Sequence, residues 1–544
     1  MMEDQKTKIW QKYENGLDYL RKKNLFTETE KNWDFYNGNQ WKGIQSGGEQ
    51  FPVENFIKPI VKYKVATIAQ NAMTAVYSDM EDRTDYVDAC RTLGKMFTKN
   101  WERAKMDYRS WEVILSAAVQ GDSYLYFGTE NVKDVQVIIN TNIMFGDEQE
   151  ASIQRQPYIV IAERKLVSKV IEEAKQNGVP KSEYELITGD EEKERQIGNR
   201  EEVHGSDKCT SILYMEKDEN GIVNVARSTK CCVYEPLHPI SGSDSDGNPH
   251  GGLKSYPIVN MIWEKVPNSA RGISEVKQLI PNQLELNKTL ARRSMSVKMT
   301  AFPRIAYDAT AIQDPEALEL VGAAIGLQGA AGNVDTMIKY LNPASMSHDA
   351  QNLQSDLLVN TRELAGAGDA ATGNIDPEKA SGAAIQAVRD QSELPLNDQV
   401  TAYKQFTEDL AMLWFDMACA YSPNGLTFRF TDDTGEDQEG TVTPEQLEEI
   451  KPDVRIDVSK DNSWSKYAEQ QELANHLNAN HITFEEYVEV LPDNSALPKN
   501  KMLSLIEKRK TKMEEQKQQT EVGSDEEYLK QMLQMQGQGG QLNV

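Results

Sequence analysis

The chain has 544 residues, room for about three to five structural units at the usual size of a domain. Its 85 acidic residues against 59 basic ones give a formal net charge of −26, which excludes tight, sequence-reading DNA binding and suits a solubilised assembly subunit or a channel wall from which a polyanion slides freely. The five cysteines (Cys90, Cys209, Cys231, Cys232, Cys419) are scattered without a CxxC pair, so neither a disulfide framework nor a zinc site is indicated and a reducing cytoplasm is expected.

Residues 1 to 45 read as polar helix closing on an aromatic cluster, Trp33 to Trp41, of the kind that pins a terminus onto a core. The opening Met-Met-Glu-Asp-Gln-Lys has no apolar run, so no secretory signal is expected, and no stretch approaches the roughly 18 apolar residues of a membrane span. From Asn55, the residues Ile57, Val61, Val65, Ile68, Ala72 and Val76 recur at spacings of three and four and predict one helical face. A second helix is predicted to end near Gly121, followed by a strand at Tyr124 to Phe127.

Strands are predicted at Val135 to Ile139 and Tyr158 to Ala162, with a helix from Lys165 to Lys175 stopped by Asn177-Gly178. The charged span Lys181 to Asp207 reads as a solvated loop or edge. Ile212 to Met215 and Ile222 to Ala226 flank Asn220-Gly221, a tight hairpin signal. These parts predict an α+β domain of about 200 residues. A loop, Ser241 to Gly252, then leads through strand-like Tyr256 to Trp263.

A ladder follows between Arg271 and Tyr421. It runs from a helix, Gly272 to about Met299, through an insert of about forty residues to a second helix beginning at Asn342-Pro343 and ending at Gly366 and Gly368. In the second helix Met346, Leu353, Leu357 and Leu364 form a seam, with Ala350 in it and Asn360 interrupting, that predicts packing on a neighbouring helix. A Gly/Ala-rich loop then precedes a helix from about Ser381 to Tyr421, about 60 Å long at about 1.5 Å per residue, with Pro395 predicted to kink it. Its stripe is Leu396, Val400, Tyr403, Phe406, Leu410, Leu413 and Met417. Strands are predicted at Leu426 to Phe430 and Val454 to Val458, flanking an acidic span, and the chain from Ser463 onward reads as helical and polar with a frayed Gln-rich tail.

Tests for chemistry are mostly negative. No Gly-Lys-Ser/Thr loop, HExxH or GxSxG occurs, and the histidines (His204, His238, His250, His348, His476, His481) lie singly except for one i, i+5 pair, so no enzyme, metal or cofactor is expected. Asp244 to Asn248 resembles the start of a calcium loop, but Pro249 and Ser255 stand where glycine and an acid are needed. One basic cluster, Lys277, Lys288, Arg292, Arg293 and Lys298, lies on the first ladder helix against Glu275 and Glu285. It reads either as a solvated face or as a weak, sequence-blind contact with DNA phosphates or a surrounding shell. The loop residues Gly366, Gly368, Asp369, Gly373, Asn374, Asp376 and Glu378 combine backbone freedom with acidity.

The order of these parts resembles the portal proteins of tailed bacteriophages. The likeness rests on Trp33 to Trp41 followed by Asn55-Phe56-Ile57-Lys58-Pro59-Ile60-Val61, on Tyr256 to Val259 through Arg271-Gly272-Ile273-Ser274-Glu275-Val276 and Gln283 to Asn287, and on Ser381-Gly382-Ala383-Ala384. It implies a mainly helical, elongated α+β fold. Residues 1–270 with 381–460 would form the wing, 271–299 and 343–366 the paired stem helices, 300–342 a small α/β clip, 367–380 the tunnel loop and 461–544 a helical crown with a flexible tail. The resemblance also implies a ring of about twelve copies at one capsid vertex. Its implied partners are a packaging terminase ATPase, major capsid and scaffolding proteins, neck adaptor and tail proteins, and double-stranded DNA passing non-specifically. No membrane is implied, and the location would be the virion, with the host cytoplasm during assembly. Two rivals are an acidic scaffold or adaptor that encloses no DNA and a hydrolase using the Asp/Glu-rich loops. Pro281, inside the first stem helix, departs from the expected pattern.

Overall fold

The computed structural model describes residues 2–44, 51–81, 83–128, 132–190, 207–243, 249–301, 304–307, 338–341, 348–366, 394–431, 437–460, 473–479 and 481–490, with residues 310, 312, 314, 316, 502, 505, 506 and 508. The chain divides into two units, Met1–Val458 and Ser459–Val544. It is a mixture of helix and antiparallel sheet.

In the first unit, helix α1 (Met2–Lys22) buries Ile9, Tyr13, Leu17 and Leu20, one stripe at helical spacing. Helix α2 (Leu25–Asn37) buries Phe35 and Tyr36 and stops at Gly38, whose φ of 92° suits glycine. Helix α3 (Ile57–Ala69) buries Ile57, Ile60, Val61, Val65 and Ile68. The predicted continuation of this helix through Ala72 and Val76 is wrong, because those residues lie in strand β1 (Asn71–Asp79). Asn71 ends the helix by donating its amide to the carbonyls of Thr67 (3.2 Å) and Ile68 (3.0 Å). Beyond it Met73, Ala75 and Tyr77 are buried while Thr74, Val76 and Ser78 are exposed, the period of two of a strand. Helix α4 (Val87–Arg103) packs against β1, and α5 (Met106–Gln120) ends at Gly121 as predicted.

Strands β2 (Asp122–Phe127), β3 (Val135–Ile138), β4 (Ile143–Phe145) and β5 (Tyr158–Leu166) follow. Helices α6 (Val167–Gln176) and α7 (Lys181–Tyr184) precede β6 (Lys208–Lys217), β7 (Val223–Ser228) and β8 (Val233–Pro239). Strands β4 to β8 pair in sequence order as one antiparallel sheet. Its alternation is clean. Ile143, Phe145, Ile159, Ile161, Leu213 and Met215 enter one core, while Met144, Val160, Ala162, Ile212 and Tyr214 pack with α1 on the other face. The β6–β7 turn carries Gly221 at φ 79°, where Asp218 Oδ1 accepts from the backbone of Asn220 and Ile222.

The predicted loop Ser241 to Gly252 contains a short pair, β9 (Gly242–Ser243) with β10 (Pro249–His250), and the calcium-loop-like residues 244–248 lie outside the described residues. Strand β11 (Ile258–Ile262) joins β2 and β3 in a second sheet of order β11-β2-β3. Helix α8 (Glu275–Ala301) starts three residues later than predicted and carries Pro281 in its first turns. Of the insert, β12 (Arg304–Tyr307) and β13 (Ile338–Leu341) form an antiparallel pair. Helix α9 is described from His348 to Leu364, so the predicted Asn342 cap lies outside the described residues.

The long helix is described as α10 (Asn397–Tyr421), and its predicted first part, 381–393, lies outside the described residues. Pro395 sits in a 3₁₀ turn, Leu394–Leu396, immediately before α10, and the part of the predicted helix on the other side of it, 381–393, lies outside the described residues. The predicted stripe of α10 is buried except for half-buried Val400. At its centre Trp414 packs against Phe97 of α4 and Phe127 of β2, with centroids 5.0 and 6.1 Å away. Strand β14 (Leu426–Thr431) pairs with β15 (Asp437–Val442) from the predicted acidic span, helix α11 (Pro444–Glu449) starts from a Thr443–Gln446 capping box, and β16 (Pro452–Lys460) returns to β1.

In the second unit, residues 473–478 are helical and precede α12 (Phe484–Val490). Thr483 and Glu486 cap α12 reciprocally, and Tyr487 and Val488 are buried against Leu473, Leu477 and Ile482. Among the described residues no helix is long and apolar enough to cross a membrane.

Candidate functional site

The segment Arg271 to Glu275 feeds α8 out of the sheets, and Arg271, Gly272, Ser274 and Glu275 each have a distinct physical task. The Arg271 guanidinium is buried, and all its N–H groups are used. Nε and Nη2 reach the two oxygens of Glu148, each at 3.0 Å. Nη1 donates to the carbonyl of Asn140 (2.7 Å) and to Asp122 (3.5 Å), and Nη2 also to the carbonyl of Ile143 (2.8 Å). Phe145 lies 4.8 Å under the guanidinium. Asp122 belongs to β2 and Ile143 to β4, so one side chain ties both sheets to the start of α8.

The electrostatics follow from burial. Removal from water pushes the Asp122 carboxyl above the ordinary carboxylate range, while Arg271 and the Tyr124 hydroxyl, which donates to it at 2.6 Å, pull it part of the way back. Burial works against the Arg271 charge, yet Tyr124, Glu148 and Asp122 reverse that and hold its pKa above the usual value.

Gly272 lies against Gly121. A Cβ on Gly272 would stand 2.4 Å from the Gly121 carbonyl oxygen, and a Cβ on Gly121 would stand 2.5 Å from that of Gly272. The two glycines let the end of α5 and the approach to α8 touch backbone to backbone. Ser274 then serves two helices with one hydroxyl. It donates to the carbonyl of Val119 (2.7 Å) in the last turn of α5 and accepts from the amide of Lys277 (3.3 Å) in the first turn of α8. This cap explains why α8 starts at Glu275 rather than at Gly272.

Glu275 accepts from Lys64 of α3 at 2.7 Å and from the Trp263 indole at 3.1 Å, with both charged side chains 11% exposed. Further along α8, Gln283 accepts from the amide of Phe56 (3.1 Å) and donates to the Glu54 carbonyl (2.8 Å), while Asn287 bonds both Gln283 and Gln40. The root of the helix is therefore a buried polar network set in apolar walls.

The predicted basic residues do not converge on one site. Lys277 pairs with Glu28 of α2 at 2.7 Å, and Lys288 and Arg292 share Glu285 at 3.6 and 3.8 Å. Arg293 donates to Gln354 of α9 at 3.0 Å, and Lys298 is exposed. Of the predicted seam, Leu353 is 45% exposed, Leu364 is 85% exposed and Leu357 is half-buried, while Met346 lies outside the described residues. The intrachain contact between α8 and α9 uses a different face. Thr361 is buried and bonded to Asn282 (3.0 Å), Leu358 packs on the core, and Ala365 is buried. Of the predicted loop, Gly366 closes α9 at φ 67° beside Pro395; Gly368, Asp369, Gly373, Asn374, Asp376 and Glu378 lie outside the described residues. Among the described residues no group of three or more His, Cys, Asp or Glu is placed to hold a metal.

Sequence reasoning missed the Arg271, Gly121–Gly272 and Gln40–Gln283–Asn287 contacts. The available signal was a run of small and charged residues, Arg271 to Glu275, immediately before an apolar helical period.

A family model, described as phage P22-like portal protein, matches residues 191–543. The chain belongs to the P22-like portal protein family. Among solved structures it is similar to a chain in the neck of an empty gene transfer agent particle, at 11% identity over 80% of this chain and 89% of that one, with a TM-score of 0.35. It is likewise similar to a chain of the native gene transfer agent virion, at 10% identity over the same shares, with a TM-score of 0.37. No curated protein matches it. The network above anchors the start of α8.

Proposed function

We propose that copies of this chain close into a ring at a unique capsid vertex, and that the ring is the channel for packaging and ejecting double-stranded DNA. It would also be the docking platform for the packaging ATPase and later for neck and tail proteins. The observation that carries this reading is the portal family match over residues 191–543. Portal proteins are structural assembly components, so the force for DNA movement comes in this reading from the separate ATPase.

Within the chain, residues 1–270 with 381–460 serve as the wing, α8 and α9 as stem helices, and 300–342 as the clip. Residues 367–380 serve as the tunnel loop and 461–544 as the crown. The short antiparallel pair β12–β13 supports a small clip that gains stability by packing on its neighbours. Exposed Met295 and Val297 on α8 and Leu353 and Leu364 on α9 support stem helices that meet other copies. Lys288, Arg292 and Arg293 would supply weak contacts to DNA or capsid. The glycines and acids from Gly366 to Glu378 would keep the duplex mobile.

Negative-stain imaging of the purified full chain tests the reading. Closed rings with an axial hole are expected. Monomers, or particles without a hole, would favour the acidic scaffold instead.

A further inference from the structure

The two ends of helix α4 carry opposite chemistry. At its C-terminal end a cavity of about 460 Å³ opens between the last turn of α4, the turn at 132–133, the end of α10 and the start of β14. Lys99, Arg103 and Lys133 line it together with Asn100, Met417 and Phe428, and no described carboxylate does. In a chain with 85 acids and 59 bases this is a local reversal of sign. At the N-terminal end, Met80 and Val87 stand exposed, flanked by exposed Asp85 and Asp88. Of the cations beside them, Arg83 is held by Asp79 at 2.7 and 2.8 Å and Lys451 by Glu81 at 2.7 Å. Seventeen residues separate these ends, about 25 Å along the helix.

A purely local account covers part of this. Cations favour a helix C-terminus, and Lys99 donates to the Arg429 carbonyl (2.9 Å) and sits 5.4 Å over the Phe428 ring. That explains Lys99 and Arg103, and the same dipole favours Asp88 in the first turn. It does not explain the open cavity beside these cations, or two large apolar side chains left in water at the other end.

We propose that the acidic, Met80-bearing end of α4 in one copy docks into the basic cavity at the far end of α4 in the next copy. The proposal rests on the ring reading and specifies one of its contacts. The match is of kind: apolar Met80 and Val87 meet half-buried Leu426 and Phe428, while Asp85 and Asp88 meet Arg103 and Lys133. Because the two patches differ and lie at opposite ends of one element, head-to-tail docking leaves a free patch at each end of every growing chain, and closure consumes both. Antiparallel docking would instead satisfy both patches within a pair and stop at two.

The test is charge reversal and charge swap in the full chain, with assembly followed by mass photometry against concentration and salt. Arg103→Glu alone, and Asp85→Lys with Asp88→Lys, should each raise the concentration needed for ring formation about tenfold at low salt, less at high salt, with unchanged circular dichroism. Combining them should recover at least part of that loss. Rings that form equally well in every variant, or a combination no better than its worse parent, would overturn the proposal and leave the ring reading standing, whereas a wild-type chain that stops at a dimer would overturn both. A wild-type chain that never self-associates would overturn both.

Discussion

The near and far halves of α8 obey different rules. From Glu275 to Ala291 the helix buries Val276, Leu279, Ile280, Gln283, Leu286, Asn287 and Ala291, and its buried polar groups find partners in Lys64 of α3, Trp263, the Glu54 and Phe56 backbone and Gln40. From Arg292 onward no described side chain of the helix is buried, and Met295 and Val297 face solvent. In α9, Thr361 and the following Ala365 are buried near the root, while Leu353 further out and Leu364 beside Ala365 are exposed. A lone chain thus completes the root of α8 by itself and leaves its outer half and part of α9 for something else to cover.

The largest expected effect is at the root. Arg271→Ala strands Asp122 and Glu148 without their cation in a buried site, and urea unfolding of the folded chain should show a loss of about 3 to 5 kcal/mol. Arg271→Lys should recover only part, since an ammonium cannot reproduce the fork that serves Glu148 and two carbonyls. Gly272→Ala forces a Cβ against the Gly121 carbonyl and should cost about 1 to 3 kcal/mol by the same measurement. Ser274→Ala removes one hydroxyl from two helix ends and should cost about 1 kcal/mol.

Acid should act away from the root, at Asp79. The Arg83 side chain, then the backbone amides of Lys451 and Arg83, hold the Asp79 carboxyl well below the usual carboxylate range. A depressed native pKa contributes stability above the unfolded value, near about 4, and that contribution is lost as pH falls below it towards the native value. The melting temperature should therefore fall between pH 5 and pH 3 more steeply, by about a few degrees, in the wild type than in Asp79→Asn. Equal slopes would remove Asp79 from the account.

The smallest effect on stability is expected in the outer half. Leu353→Asp should change unfolding of the single chain by less than about 0.5 kcal/mol, because the side chain is already in water, yet it should suppress ring formation seen by imaging. A large loss of chain stability would mean that the residue is part of the intrachain core after all.

The contrast also marks what could be read from sequence. The apolar period of α10 and the β6–β7 hairpin at Asn220-Gly221 were legible because their signals are local, whereas the buried stripe of α1, Ile9, Tyr13, Leu17 and Leu20, went unread inside a segment that reads as polar helix. The helix through Val76 was misread because Ala72 and Val76 extend a four-residue spacing by coincidence, while Asn71 closes the helix with a side-chain contact that only the fold displays. The seam through Leu353 and Leu364 was legible as apolar, but the α8–α9 contact runs through Thr361 and Asn282, polar residues with no periodic signature. The Arg271 network was invisible for the same reason, since its partners come from four separate places between Asp122 and Glu148.

Hydrogen exchange along α8 and α9, compared between unassembled chain and ring, tests the division most directly. The account predicts that amides from Val276 to Ala291 and near Thr361 are protected in both states, whereas those from Arg292 to Ala301 and around Leu353 gain protection only on assembly. Uniform protection of both helices in the unassembled chain, or no gain in the outer halves of the ring, would contradict it.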